Sequence, residues 1–304
     1  MKLIALDAQT SMKHFIQFHS QTVLIDCEVL AVDRYILDIF ADLLTDTSHF
    51  KTIANYRVEK SNNQIIVSAN KELIFKHTSP IETAYFMMNQ AKFDMIENIN
   101  DALVLHAALV SNGQLSKQQM SILMPGNSGR GKSLLTLGLL SLGFEYHTDE
   151  VITVDQNTQQ IRSFIRPLMI KSHGIKPVKT LLTMLDKSCT DYFIKGENMF
   201  SLPTQKIQHL FSDDSSLQNT TSPKQSPSNI SHIIFPRWAN DSSARLEAVS
   251  PAQAAMELFK NNIAGRNLSQ LGMPMIKHLC EQAKAYELHY SDFSQLHGLI
   301  SKLN

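Results

Sequence analysis

The sequence predicts an α/β protein with a P-loop core over residues 101–304, a small α+β domain over 1–100 ahead of it, and a mostly helical part from about residue 250. Three observations predict it. An apolar run suited to a buried strand (MSILM, 120–124), a glycine-rich loop (126–133) and an apolar helical run (LLTLGLLSL, 134–142) follow one another in the order that a phosphate-binding loop requires. Further short apolar runs continue beyond that helix, at 151–154, 161–164, 168–170 and 230–235. The first hundred residues have a different texture, with strand-like runs and two helical patterns but no such motif.

Taken in order, the N-terminal region offers strands at 22–25, 65–68 and 72–75 and helices at 33–44 and 80–98. Residues 55–76 read as a meander turned at Ser61-Asn62-Asn63 and Ala69-Asn70-Lys71, since Asn tolerates tight-turn backbone. The core begins with a strand from Leu103 (LVLHAALV). Residues 211–229 contain SDDSSLQNTTSPKQSPS, which has almost nothing to bury, and are expected to form a mobile loop. Ser250-Pro251 supply an N-cap and a first-turn proline for a helix over 252–262. A helix over 268–283, a strand over 285–290 and a last helix from Asp292 complete the chain, and there are no internal repeats.

Composition removes several classes of function. The 304 residues carry 28 Lys+Arg and 28 Asp+Glu, so neither a nucleic-acid nor an acidic-membrane partner is expected. Cys27, Cys189 and Cys280 are too few and too scattered for a disulfide framework, which fits a reducing compartment. The start MKLIALDAQTSMK lacks the pattern of a secretory signal, and no apolar stretch is long enough to span a membrane; the expected location is cytoplasmic. Twelve histidines without metal-ligand spacing predict no zinc site.

The loop Gly126-Asn127-Ser128-Gly129-Arg130-Gly131-Lys132-Ser133 fills G-x-x-x-x-G-K-[ST] without substitution. Its glycines let successive N–H groups turn toward the β- and γ-phosphates, Lys132 supplies a cation, and Ser133 offers a hydroxyl to Mg2+. All eight residues are therefore candidate contacts for ATP. The bland alternative is a glycine-rich turn at a strand–helix corner.

The neighbours decide what such a loop serves. Asp149 and Glu150 stand just before the strand at 151–154, and His106 lies inside the strand that precedes the loop. Together these features resemble HPr kinase/phosphorylase and its relatives, whose nucleotide fold is shared with phosphoenolpyruvate carboxykinase. The parallel covers roughly residues 103–262 and is strongest over 106–154. That family has an Asp-Asp pair where this chain has Asp149-Glu150. Residues 170–175 (IKSHGI) resemble a degenerate I-R-G-x-G-I signature, with Lys171 where the family has Arg; Lys cannot make the bidentate fork. By the same resemblance Arg237, in the segment FPRW, is a further phosphate contact.

The resemblance implies a Mg2+-dependent kinase that moves the γ-phosphate of ATP to a serine-like hydroxyl on a protein, peptide or small molecule. Lys132, His106, Asp149 and Glu150 are its candidate catalytic residues, and Ser133, Asp149 and Glu150 its candidate metal ligands. Which carboxylate is the base stays open, as does the reverse removal of phosphate that the HPr enzymes perform. Family relatives form oligomers, which extends to this chain as an expectation with no interface signal of its own. Each role has a plainer reading: solvated carboxylates, a satisfied core histidine, solvated cations. Asp155, at the end of the apolar run, imitates a Walker-B aspartate but also suits the start of a turn. The alternative function is a non-catalytic ATP-binding partner module; an ATPase or GTPase switch is weakened by the absence of an N-K-x-D motif.

Overall fold

A computed structural model of the protein describes residues 11–46, 51–112, 120–127, 129–211, 226–239 and 243–303. The chain divides into two compact units, one up to Asn98 and one from Ile99. No helix among the described residues is long and apolar enough to cross a membrane.

The first unit contains β1 (Met12–Phe18), β2 (Gln21–Cys27), α1 (Leu30–Ile39), β3 (Leu44–Thr45), β4 (Thr52–Ser61), β5 (Gln64–Ala69), β6 (Glu72–His77) and α2 (Pro80–Glu97). Its six strands form one sheet in the order β3-β1-β2-β4-β5-β6, antiparallel except where β2 meets β4. The meander expected over 55–76 is β4-β5-β6. Its second turn places Asn70 and Lys71 at φ of 52° and 72°, the two left-handed residues that a two-residue hairpin turn of primed type needs. The helix expected over 33–44 instead spans 30–39. Asp33 is consequently a first-turn residue, buried and hydrogen-bonded to His14 at 2.5 Å, and Leu44 leaves the helix to pair with β1.

The second unit is built on an eight-stranded mixed sheet. Its elements are β7 (Ala102–Ser111), β8 (Ser121–Pro125), α3 (Lys132–Ser141), β9 (Glu145–Thr148), β10 (Val151–Asp155), β11 (Ile161–Phe164), β12 (Leu168–Lys171), α4 (Ile175–Met184), α5 (Cys189–Tyr192), β13 (Ile194–Lys195), β14 (Met199–Leu202), α6 (Thr204–Phe211), β15 (His232–Trp238), β16 (Arg245–Ala248), α7 (Pro251–Lys260), α8 (Met273–Gln282), β17 (Lys284–Tyr290) and α9 (Leu296–Ile300). The main order is β11-β10-β7-β8-β15-β17-β16, with β9 on β7; β15 is parallel to β8 and β17. A separate sheet runs β12-β14-β13.

Strand β7 is apolar on both faces because both are covered. Leu103, Leu105, Ala107 and Leu109 pack with Ala254, Leu258, Ile276 and Leu279 of α7 and α8. The alternate residues Ala108 and Val110 pack with Leu135 and Leu139 of α3 and with Leu296 of α9. His106, of the second set, is the only residue of β7 not fully buried. The other side of α3, through Leu137 and Leu140, packs with Val178 of α4 and Leu202 of β14.

Ser250 and Gln253 form the capping box of α7, with Pro251 in its first turn. The helix expected over 268–283 starts only at Met273. Gln270 and Leu271 are left-handed (φ 49° and 55°), and Gly272, at φ 74°, is the N-cap. Pro274 fits the first turn because a helix start has no partner for its missing N–H. The last helix expected from Asp292 is a short 3-10 turn capped by Asp292, followed by α9. Most of the expected loop, residues 212–225, lies outside the described residues.

Candidate phosphate and carboxylate site

Strand β8 ends at Pro125, and seven residues later Lys132 opens α3. Two glycines of this loop are required for different reasons. Gly131 has φ 97°, and a Cβ there would lie 2.7 Å from Trp238 Cβ. The loop is held at that point: Tyr290 Oη donates to Gly131 O (3.0 Å) and Trp238 N to Arg130 O (3.3 Å). A Cβ on Gly129 would meet nothing within 4 Å, so only its φ of 90° demands glycine. Asn127, Gly129 and Arg130 are exposed, and Ser128 lies outside the described residues.

Lys132 is buried, at 7% exposure. Its Nζ donates to Gly126 O and lies 3.3 Å from His106 Nε2. Burial lowers the Lys132 pKa to about 8, against the pull of Glu150 and Asp149 toward the charged form. Next in the helix, Ser133 Oγ donates to Asp149 Oδ2 at 3.0 Å.

The sheet brings the carboxylates to the loop. Asp149 and Glu150 link β9 to β10, and both strands pair with β7. Ala107 N donates to Glu150 O (3.1 Å), and Val151 lies in register with His106. Glu150 Oε2 is thereby 3.7 Å from His106 Nε2. Asp149 is 2% exposed and has both oxygens engaged. Oδ1 accepts from Arg166 Nε (3.1 Å) and from Tyr146 Oη (3.2 Å); Oδ2 faces Ser133 Oγ and accepts more weakly from Met169 N (3.4 Å).

Arg166 was not among the residues expected from sequence. Its Nη2 is 2.7 Å from Glu150 Oε2, so one edge of the guanidinium spans both carboxylates. Burial opposes its charge, but Asp149 and Glu150 outweigh that and raise its pKa above the ordinary arginine value. Tyr146, whose hydroxyl also reaches Arg166 O (2.9 Å), has its pKa raised well above normal by burial and by Asp149. The available signal was a single arginine inside the apolar run FIRPLMI, since arginine is almost never buried without a partner.

Of the expected site residues, hydrogen bonds and ion pairs join Lys132, His106, Ser133, Asp149 and Glu150. Gly126 joins them through Lys132, whereas Arg237, Lys171 and Asp155 stand apart. Arg237 Nη2 pairs with Glu287 at 3.0 Å. Lys171 is exposed at the end of β12, where its charge helps to lower the Lys132 pKa. Asp155 Oδ1 accepts from Asn157 N and Thr158 N, which is the turn reading of that residue.

The donor set fits a magnesium–triphosphate group. Ser133 Oγ and Asp149 Oδ2 are adjacent hard oxygens, and Mg2+ is commonly held by one or two carboxylates together with phosphates and water. Glu150 is turned to Arg166 and His106 instead.

Fold and site together define a class: a mixed α/β protein with several sheets and helices, consistent with an α/β nucleotide-binding fold. No protein-family model matches the chain, and no curated protein does. Among solved structures, one similar chain is the Hpr(Ser) kinase/phosphatase from Coxiella burnetii. It is 14% identical, over 66% of this chain and 92% of that one, with a TM-score of 0.26. A likeness of this size defines neither the family nor the activity of the present protein.

Proposed function

We propose that this protein is an ATP-dependent, Mg2+-requiring kinase that transfers the γ-phosphate to a serine-like hydroxyl on a protein, peptide or small molecule. The observation that supports this most is the buried Lys132. Its described polar contacts are Gly126 O and His106 Nε2, neither of them an anion, beside a carboxylate pair that Arg166 already occupies. A buried ammonium so placed gains from an anion at the loop.

In this reading the loop N–H groups and Lys132 would hold the phosphates, and Ser133 Oγ and Asp149 Oδ2 would hold Mg2+, which would offset the phosphate charge. Phosphoryl transfer is mainly a matter of position and charge. Glu150 takes the acceptor's O–H proton as the new O–P bond forms and the γ-phosphorus separates from the ADP oxygen. His106 Nε2 lies beside both Glu150 and Lys132. Arg237 and Lys171 enter as phosphate contacts only after movement, since Arg237 is paired with Glu287 and Lys171 is exposed.

The test is labelled ATP with purified protein and extract fractions. Transfer to an acceptor is expected, with loss of about 10²-fold or more in Asp149→Asn and loss of ATP binding in Lys132→Ala. Tight ATP binding with no labelled acceptor in any fraction would sink the kinase reading. It would leave an ATP-binding partner module, which one observation favours: Arg166 already neutralises both carboxylates.

A further inference from the structure

We propose that Arg166 is a built-in counter-cation of the carboxylate pair, which keeps Asp149 and Glu150 from collecting a divalent cation on their own and fixes Glu150 for transfer. The second half rests on the kinase reading; the first does not.

Arg166 follows β11 and precedes Pro167, whose ring favours an extended backbone at the residue before it. From there Nε reaches Asp149 Oδ1 (3.1 Å) and Nη2 reaches Glu150 Oε2 (2.7 Å). A planar guanidinium can bond two separate carboxylates through one rigid edge, whereas an ammonium is a single point of charge. The arginine is nine-tenths buried, and its backbone oxygen is tied to Tyr146, so it is not a solvated cation that happens to lie nearby.

The contacts divide the labour between the oxygens. By occupying Asp149 Oδ1, Arg166 and Tyr146 leave Oδ2 facing Ser133. By holding Glu150 Oε2, Arg166 keeps that carboxylate near His106 and away from Ser133. With Lys132 close by, two carboxylates face two cations, and the pair alone offers a divalent ion little net charge. A triphosphate supplies the missing negative charge, so metal enters with the nucleotide. Removing one unit charge at contact distance, at an effective dielectric constant of about 20, changes ion affinity by tenfold or more.

The test is Mn2+ titration of the full chain without nucleotide, followed by electron paramagnetic resonance, for wild type, Arg166→Gln and Arg166→Lys. Arg166→Gln is expected to bind Mn2+ at least tenfold more tightly than wild type. In transfer assays its kcat falls at least tenfold, with KM for ATP within about threefold. Arg166→Lys keeps the charge and so preserves folding; it should bind Mn2+ near the wild-type level but recover only part of kcat, because it cannot span both carboxylates. Unchanged or weaker Mn2+ binding by folded Arg166→Gln overturns the proposal. If that variant does not fold, a wild-type kcat in Arg166→Lys overturns the fixing of Glu150, and a reduced kcat at unchanged KM supports it. If the wild type transfers no phosphate, the kinase reading fails while the metal titration still decides the counter-cation role.

Discussion

Lys132 carries opposing demands, and its proton shows which one wins. Its pKa is about 8 in the folded protein against an ordinary 10.5, so between those values the unfolded chain holds a proton that the folded chain has released. Stability without nucleotide therefore rises as pH is raised through that window, and the penalty is fully present below pH 8. Lys132→Met removes the buried ammonium but keeps the apolar stem. It is expected to raise stability at pH 7 by about 1–3 kcal/mol and to flatten the rise toward pH 10, as read by denaturant unfolding at both pH values. Under the kinase reading the same change is expected to abolish ATP binding. Wild-type affinity for ATP should fall above pH 8 by up to about tenfold per pH unit, because the anion binds the protonated lysine. Calorimetry at pH 8.5 in buffers of different ionisation heat should register proton uptake; uptake of none would disprove the linkage.

Two loop glycines test the backbone at the same scale. Gly129→Ala meets no atom and bears only the left-handed penalty, about 1–2 kcal/mol. Gly131→Ala adds a collision with Trp238 Cβ at 2.7 Å and should cost more, because neither the Trp238 Cβ nor the adjoining backbone is a flexible side-chain end. Thermal unfolding should rank Gly131→Ala below Gly129→Ala; the reverse order would mean that the Trp238 side of the loop yields.

Among the elements, α3 places one face on the main sheet and another on the smaller sheet, and Gly138 faces Phe293 and, at the start of α9, Leu296. A Cβ there would overlap Leu296 Cδ1 and lie 2.8 Å from Phe293 Cδ1. Alanine is the better helix former by about 0.5–1 kcal/mol. Overpacking a well-filled core costs about 1–3 kcal/mol. The second effect is larger, so Gly138→Ala is expected to lower stability by about 1 kcal/mol in denaturant unfolding, and Leu296→Ala in the same chain should relieve part of the collision. The helices also mark what a single sequence can reveal. Where local chemistry sets an end, as with Ser250 and Pro251 at the start of α7, the boundary was readable. Where a distant contact sets it, as with His14 on Asp33 or the pairing of Leu44 with β1, it was not.

At the scale of the whole molecule the same division holds for the site. The glycine loop and the Asp149-Glu150 pair were read from their offsets to a strand or helix, whereas His106 was singled out by the family resemblance, since its place inside an apolar strand also suits a core histidine. Arg166 was not, because its role depends on β10 and β11 forming a hairpin that carries residue 166 back to residues 149 and 150. The three-stranded sheet β12-β14-β13 escaped for a related reason: its strands are short and joined by two helices. Every residue joined in the candidate site lies beyond Ile99, in the unit that also contains three extensive core clusters. A chain of residues 99–304 is therefore expected to fold by itself, because those clusters draw every member from within it. It should bind ATP with a Kd within about threefold of the full chain. Circular dichroism and calorimetry of that fragment check both. A fragment that folds but binds ATP more than tenfold more weakly would mean that residues 1–98 contribute to the nucleotide site, whereas equal binding with lost transfer would assign them to acceptor recognition.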